Sequence, residues 1–480
     1  MMGVTRSSAA DSVYERPLKK RIVGWMMFDW ASQPYNTLLL TFIFGPYFAD
    51  IVSNSLMADG LSPQQAKADA QSLWGLGLTI SGLLIALVAP ILGAVADRTG
   101  RRMPYIRVFC VLYIVGAAGL WFAVPDAMNF GLMLGFFILG LIGMEFATIF
   151  TNAMLPDLGP KSEIGRISGS GWAVGYLGGL VALVVTLFFF AENNEGRTLI
   201  GIAPILGLDP EMREGTRSVG PFAAIWFALF MIPFFLWVRE DPVKPVVQEN
   251  AIQESLRGLV RTIKRLPESP SLAAYLASSM FYRDALNGMY TFGGLYAGLV
   301  LGWSIVDIGK FGIVAIIFGA IFAWFGGRAD KKYGPKPVIL ISIIFLIIAA
   351  ISIVSISPTT VLGMSVTEAP VLAGQSASDV AFYLCGALVG AAGGVIQSAS
   401  RTMMVLQANP DRMTEAFGLY ALAGKATSFL APALIFITTE LTGSSRIGVS
   451  PVIGLFLLGL VLLIWVKPDG EDKAVWTSAP

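Results

Sequence analysis

The 480-residue chain contains no histidine and only two cysteines, and just 14% of its residues are charged. A soluble domain carries roughly 25% charge. Each scarcity excludes something. Without His the commonest metal ligand is missing, and any proton exchange near neutral pH falls to a carboxylate. Cys110 and Cys385 fall in separate apolar runs in different halves, so neither a disulfide framework nor a metal site is expected. No Gly-x-x-x-x-Gly-Lys-Ser/Thr loop cradles a phosphate. The net charge of +1 carries no nucleic-acid signal. No enzyme, cofactor or nucleic-acid partner is therefore expected.

What is abundant is apolar length: 55% of the chain is hydrophobic, and mean hydropathy is +0.69. Runs of about 20 residues, enough to cross a hydrocarbon core of about 30 Å, recur twelve times. They are drawn at 22–51, 73–96, 104–124, 128–155, 166–190, 220–238, 271–300, 305–326, 338–356, 380–406, 415–440 and 448–466. A barrel would alternate over about ten residues, whereas Leu180 to Phe190 and Val338 to Ala350 are apolar at nearly every position. The expected fold class is an all-α membrane protein. A soluble protein of buried helices is the rejected alternative. The first run is too long for a cleavable signal and contains Asp29 and Pro34.

Basic residues set the orientation, because short cytoplasmic segments collect Lys and Arg. With the N-terminus inside, inner segments hold 25 of the 33, counting Arg401 and Arg412 among them. Both termini are expected in the cytoplasm, in a bacterial inner membrane. The expected organisation is a tail at 1–21, a six-helix bundle at 22–238, a cytoplasmic linker at 239–269, a second bundle at 270–466 and a tail at 467–480. In the linker, Ile252, Leu256, Leu259, Val260, Ile263 and Leu266 share one helical face, with Arg257, Arg261, Lys264 and Arg265 on the other. That pattern suits a helix on the anionic inner leaflet or a solvated linker helix.

One short motif occurs twice. Gly93, Asp97, Arg98, Gly100, Arg101 and Arg102 follow the second span; Gly326, Asp330, Lys331, Gly334 and Lys336 follow the eighth, with both Gly93–Gly326 and Asp97–Asp330 offset by 233. An internal repeat in an apolar chain is the mark of a transporter. Twelve spans with this motif resemble the major facilitator superfamily, which implies two pseudo-symmetric six-helix bundles. The resemblance also implies a gating contact from Asp97 to the eleventh helix near Glu415 and Ala416. The arginines equally serve as topology determinants.

A second repeat lies within the spans: Asp29 and Tyr35 match Asp284 and Tyr290 at an offset of 255. An intramembrane charge costs roughly 2.5–3.5 kcal/mol on insertion scales, so uncompensated placement is not expected without use. The run Phe28-Asp29-Trp30-Ala31-Ser32-Gln33-Pro34-Tyr35, the stretch from Leu155 through Gly179 and Tyr282-Arg283-Asp284 are similar to signatures of the autophagy-related vacuolar effluxer-like family. That family's fungal members export amino acids. The glycines at 169, 171, 175, 178 and 179 also suit backbone-close helix packing.

The reading is a secondary active transporter of a small polar metabolite, an amino acid or related solute, working as a monomer in the bilayer with protons as coupling ion. Asp29, Asp284 and Glu145 are the candidates for proton or amine contact, Lys425 and Arg283 for a carboxylate, with Tyr35, Tyr176 and Tyr290 lining the site. Asn152, Gln397 and Ser400 are further path candidates. For each charge the competing role is an interhelical ion pair. An exporter of drug-like or lipid-like compounds is the alternative cargo class. A channel lacks its ring of repeated donors.

Overall fold

The computed structural model describes residues 8–125, 129–193, 195–240, 257, 260, 261, 264, 266–303, 305–367, 369–372 and 374–471. Twelve long helices run through it: α1 (Leu18–Ala58), α2 (Gln65–Thr99), α3 (Met103–Phe122), α4 (Phe130–Asn152), α5 (Lys161–Phe189), α6 (Glu214–Trp237), α7 (Pro270–Val300), α8 (Asp307–Tyr333), α9 (Pro335–Ser355), α10 (Ala377–Gln407), α11 (Pro410–Thr442) and α12 (Arg446–Trp465). Among the described residues, eleven contain a stretch long and apolar enough to cross a membrane. The other, α7, has the length but carries Ser278, Ser279, Arg283 and Asp284 along its middle. Most of the linker face expected at 239–269 lies outside the described residues.

The helices form two six-helix bundles of matching layout. In the first, α1 packs on α5 and α6, and α3 on α4; in the second, α7 packs on α11 and α12, and α9 on α10. The bundles meet chiefly through two symmetry-related pairs, α2 on α11 and α5 on α8. Outward-facing residues such as Leu87 (65% exposed), Ile225 (67%) and Phe436 (66%) are apolar where a soluble protein would be charged. Their solvent is lipid.

Several helices are not regular, and each irregularity has a local cause. Pro34 supplies no amide, and α1 passes through a π-helical stretch at Tyr35–Phe42 before resuming at Phe44. Pro90 interrupts the bonding of α2. The eleventh span, expected to be continuous, breaks between Ala426 and Leu430 into two helical pieces. The repeated motif is also less of a loop than expected: α2 continues to Thr99 and α8 to Tyr333. Only Gly100 and Gly334, at positive φ of 63° and 81°, turn the chain into the next helix.

The face from which α1 enters and α12 leaves, here the termini side, is where the bundles are tightest. A Cβ on Gly93 would sit 2.5 Å from the Thr414 carbonyl oxygen, and one on Gly418 2.7 Å from that of Ala89. Backbone cannot yield as a side chain can. We expect Gly93→Leu to prevent closure of the α2–α11 seam, since overpacking of about 1–3 kcal/mol shifts a two-state equilibrium by roughly tenfold or more. Solute flux through reconstituted protein should fall accordingly while the folded protein is still recovered. Unchanged flux would show that this seam need not close.

The far side carries the connection 191–213 and a small antiparallel hairpin pairing Thr360 with Ser365 and Val361 with Met364. Within the former, Glu192 accepts from Arg213 Nε at 3.0 Å and from the Thr216 amide at 3.1 Å. These contacts staple the connection to the start of α6.

Candidate functional site

The first motif copy ties the two bundles together. Asp97 Oδ1 accepts the Thr414 amide at 3.1 Å and Oδ2 the Glu415 amide at 2.8 Å. These amides lie in the first turn of α11's helical segment Met413–Ala426, where they have no intrahelical partner and where the helix dipole favours an anion. Arg102 donates from Nε to Thr414 Oγ1 at 2.9 Å and from Nη1 to Asp157 at 2.9 Å, with Nη2 3.8 Å from Asp97. The contact expected between Asp97 and the region of Glu415 is present. Arg101 is exposed, and Arg98 makes interactions of its own at the helix end.

The second copy meets α5 through backbone proximity. Cβ atoms on Gly165, Gly169 and Gly327 would each collide across the α5–α8 seam, the first with Asp330. Lys331 pairs with Glu163, which also accepts from Arg166 at 2.6 Å. Gly326 faces Val395 of α10 instead.

Deeper in the same interface lies a residue that reading the spans placed in an inner segment. α10 continues to Gln407, so Arg401 sits inside the helix and is buried. Its guanidinium donates to three helices of the opposite bundle: Asp29 of α1 (Oδ2 at 3.1 Å), Asn152 of α4 (3.1 Å) and Ser168 of α5 (Oγ at 3.0 Å, carbonyl at 2.7 Å). It also lies 4.6 Å from the Trp25 ring and 5.8 Å from that of Trp172. Gly171 makes room, since a Cβ there would stand 2.5 Å from Asp29 Oδ2 and 2.9 Å from Arg401 Nη2. A charged residue within an apolar span was the available signal. The span was drawn to 406, yet counting Arg401 with the basic residues of the inner segments hid that signal.

A second cross-bundle pair stands nearer the gap. Lys425 of α11 donates to Glu145 of α4 at 2.9 Å, with side chains 30% and 25% exposed. For Arg401 and Asp29 the corresponding figures are 5% and 16%. The Glu145–Lys425 pair is thus partly exposed, and the Asp29–Arg401 pair is largely buried. Arg283, on α7, lies 4.0 Å over the Tyr420 ring and donates to the Tyr420 carbonyl at 3.0 Å, with Gly424 packed beneath its guanidinium. It borders the turn of α11 that carries Lys425.

Asp284 does not project into the gap. It is buried, and its Oδ2 accepts the Ala431 amide at 2.8 Å, capping the second piece of the broken α11. Tyr35 is likewise displaced from the expected lining: it is fully buried and donates to the Phe137 carbonyl at 2.7 Å inside the first bundle. Its ring packs against Tyr113 and Phe137 within the first bundle. Its sequence partner, Tyr290, is 44% exposed, yet its hydroxyl abuts Gly393 of α10 and interacts with that of Tyr176 on α5. Tyr176 and Tyr290 form a cross-bundle pair beside Gly319. Asn152 joins the Arg401 cluster, while the Ser400 hydroxyl is taken by Tyr282 at 2.7 Å.

Two pseudo-symmetric bundles joined at one membrane face, with opposite charges between them, define a membrane transporter of the major facilitator fold. Solved structures agree: the proton:xylose symporter XylE superposes with a TM-score of 0.63 at 14% identity, covering 97% of this chain and 95% of that one. The transporter FucP, in its outward conformation, gives 0.64 at 14%, covering 94% and 99%. The family profile described as vacuole effluxer Atg22 like matches residues 18–474, and the chain belongs to that family. The MFS-type transporter YxiO of Bacillus subtilis is 24% identical over 93% of this chain and 94% of its own length. Autophagy-related protein 22-1 of Aspergillus niger is 22% identical over 65% of this chain. This chain spans about half of that fungal protein, 49%.

Proposed function

We propose that the protein moves a small zwitterionic metabolite, an amino acid or a close relative, by alternating access coupled to protons. The observation that carries this reading is the solvent-reachable Glu145–Lys425 pair. An ammonium group can take the place of Lys425 at Glu145, and a carboxylate that of Glu145 at Lys425, with Arg283 close by as a second cation. Such a solute exchanges one satisfied ion pair for two charge-assisted ones without stranding a charge. Asp29, Asp284 and Glu145 are the carboxylates available to carry the proton in a chain without histidine. Two structural neighbours are named as proton symporters, of xylose and of fucose, which supports that choice.

Alternation would exchange the Asp97, Arg401 and Glu163–Lys331 contacts on the termini side for contacts on the far side, about Tyr176 and Tyr290. The excess of basic residues on the termini side favours a cytoplasmic location for both ends. The test is a panel of amino acids and dipeptides offered to purified protein in liposomes at two pH values. We expect at least one zwitterion to raise thermal stability, as any ligand selective for the folded state must, and to be moved faster under a proton gradient. If apolar compounds alone stabilise the protein, the cargo belongs to the drug-like or lipid-like class instead. If transport is indifferent to the gradient, the coupling is wrong.

A further inference from the structure

The two copies of the gating motif are not equivalent. Asp97 has two backbone donors from α11 and a guanidinium 3.8 Å away. Asp330, its counterpart on α8, is 3% exposed and touches Gly165 of α5. Its side-chain hydrogen-bond partner is Thr402 of α10, and its Oδ2 has no hydrogen-bond partner among the described residues.

Both missing donors have a visible reason. The α5 helix begins at Lys161, so at Gly165, which touches the carboxylate, the backbone amide is already engaged within the helix. The cation equivalent to Arg102 is Lys336, two residues after Gly334 as Arg102 is after Gly100. Its Nζ is instead taken by the carbonyls of Val466 at 2.7 Å and Ile464 at 3.1 Å.

Most other charges facing this point are occupied or turned elsewhere. On α5, Glu163 is held by Lys331 and Arg166. On α8, Arg328 donates to the Trp324 carbonyl at 3.0 Å, and Lys332 lies against Tyr333. On α10, Arg401 is saturated by Asp29, Asn152 and Ser168. Lys161 and Asp469 line the same cavity of about 230 Å³ as Asp330, one of each sign and neither bonded to it.

An ionised carboxylate with an unsatisfied oxygen in a closed seam is costly, whereas the neutral acid is tolerated. We infer that Asp330 is a proton-binding site, and that the bound proton holds the α5–α8 seam shut on the termini side. When the helices part, the carboxyl meets water and releases its proton to the same side, so this proton reports the pH of that compartment and is not carried across. The inference rests on the alternating-access reading for the opening motion, and on Asp330 alone for the proton. The sign follows: the closed form binds one more proton than the open form, so acid on the termini side favours closure and alkali favours opening.

The experiment places spin labels at Ser162→Cys and Tyr333→Cys in full-length protein in nanodiscs, with Cys110 and Cys385 replaced by alanine. The open-to-closed ratio should rise about tenfold per pH unit within the titration range, the slope of a single proton. Asp330→Asn should stay closed at every pH. An unchanged pH slope in Asp330→Asn, or none in the parent protein, would overturn the proposal. Infrared spectroscopy tests the proton without requiring motion: a protonated-carboxyl band present near neutral pH should vanish in Asp330→Asn. A missing band rules out the proton site even if the seam opens. A band with a seam that stays closed in Arg401→Ala and under every solute supports the proton site and removes alternating access.

Discussion

Arg401→Ala is expected to abolish transport and to destabilise the closed state by about 3–5 kcal/mol, the usual cost of removing one partner from a buried ion pair. The loss would be large because one side chain serves three helices of the opposite bundle: Asp29, Asn152 and Ser168 each lose a charge-assisted donor. Asp29 would be left in a sealed interface without its counter-charge, and must either strand that charge or take up a proton. The double variant Asp29→Asn/Arg401→Met should recover much of the thermal stability, since removing both charges leaves nothing stranded. It should not recover transport if the contact is a gate that must form and break. Melting temperatures of the four proteins in detergent close the cycle. Strictly additive losses would mean that the two residues do not act on one another.

The second large effect is expected at Glu145 and Lys425. These side chains are a quarter or more exposed, so stability should change little, in line with exposed pairs worth about 0–1 kcal/mol. Transport should change much more. A hydrogen bond between a solute and a charged group contributes about 1.5–3 kcal/mol, so Glu145→Gln or Lys425→Met should weaken zwitterion binding by roughly ten- to hundredfold. The exchanged pair Glu145→Lys/Lys425→Glu separates the two roles available to this contact. If the pair only sets packing, the exchange restores uptake. If the solute reads both charges, stability returns and uptake does not, because each end of the solute now meets its own sign.

These residues also mark how far the chain could be read without its structure. Asp97 was legible because its motif is local: a glycine, an acid and basic residues at fixed spacing after a span, with a repeat 233 residues later. The link from Asp97 to the start of α11 followed from the superfamily resemblance, and the amides of Thr414 and Glu415 are indeed its donors. Arg401 was hidden because an arginine near the end of a span counts as a topology signal until its partners are known. Tyr35 was misplaced because its burial against Tyr113 and Phe137 comes from packing within the first bundle, which a repeat offset does not reveal. The break in α11 was equally hidden, since Thr427 and Ser428 are compatible with a continuous helix.

The sequence by itself determined the helical membrane class and the two-fold repeat. Those depend on the cost of exposing polar backbone to lipid, a property of each apolar run taken alone. Only the tertiary structure decided which charges face one another: Arg401 with Asp29, Lys425 with Glu145, and Asp284 with the amide of Ala431. It also decided that Asp330 would lack the donors its twin enjoys. Partners in these contacts stand up to 372 positions apart. Coulomb attraction and hydrogen bonding depend on distance in space, and that distance is set only when the two bundles close on one another.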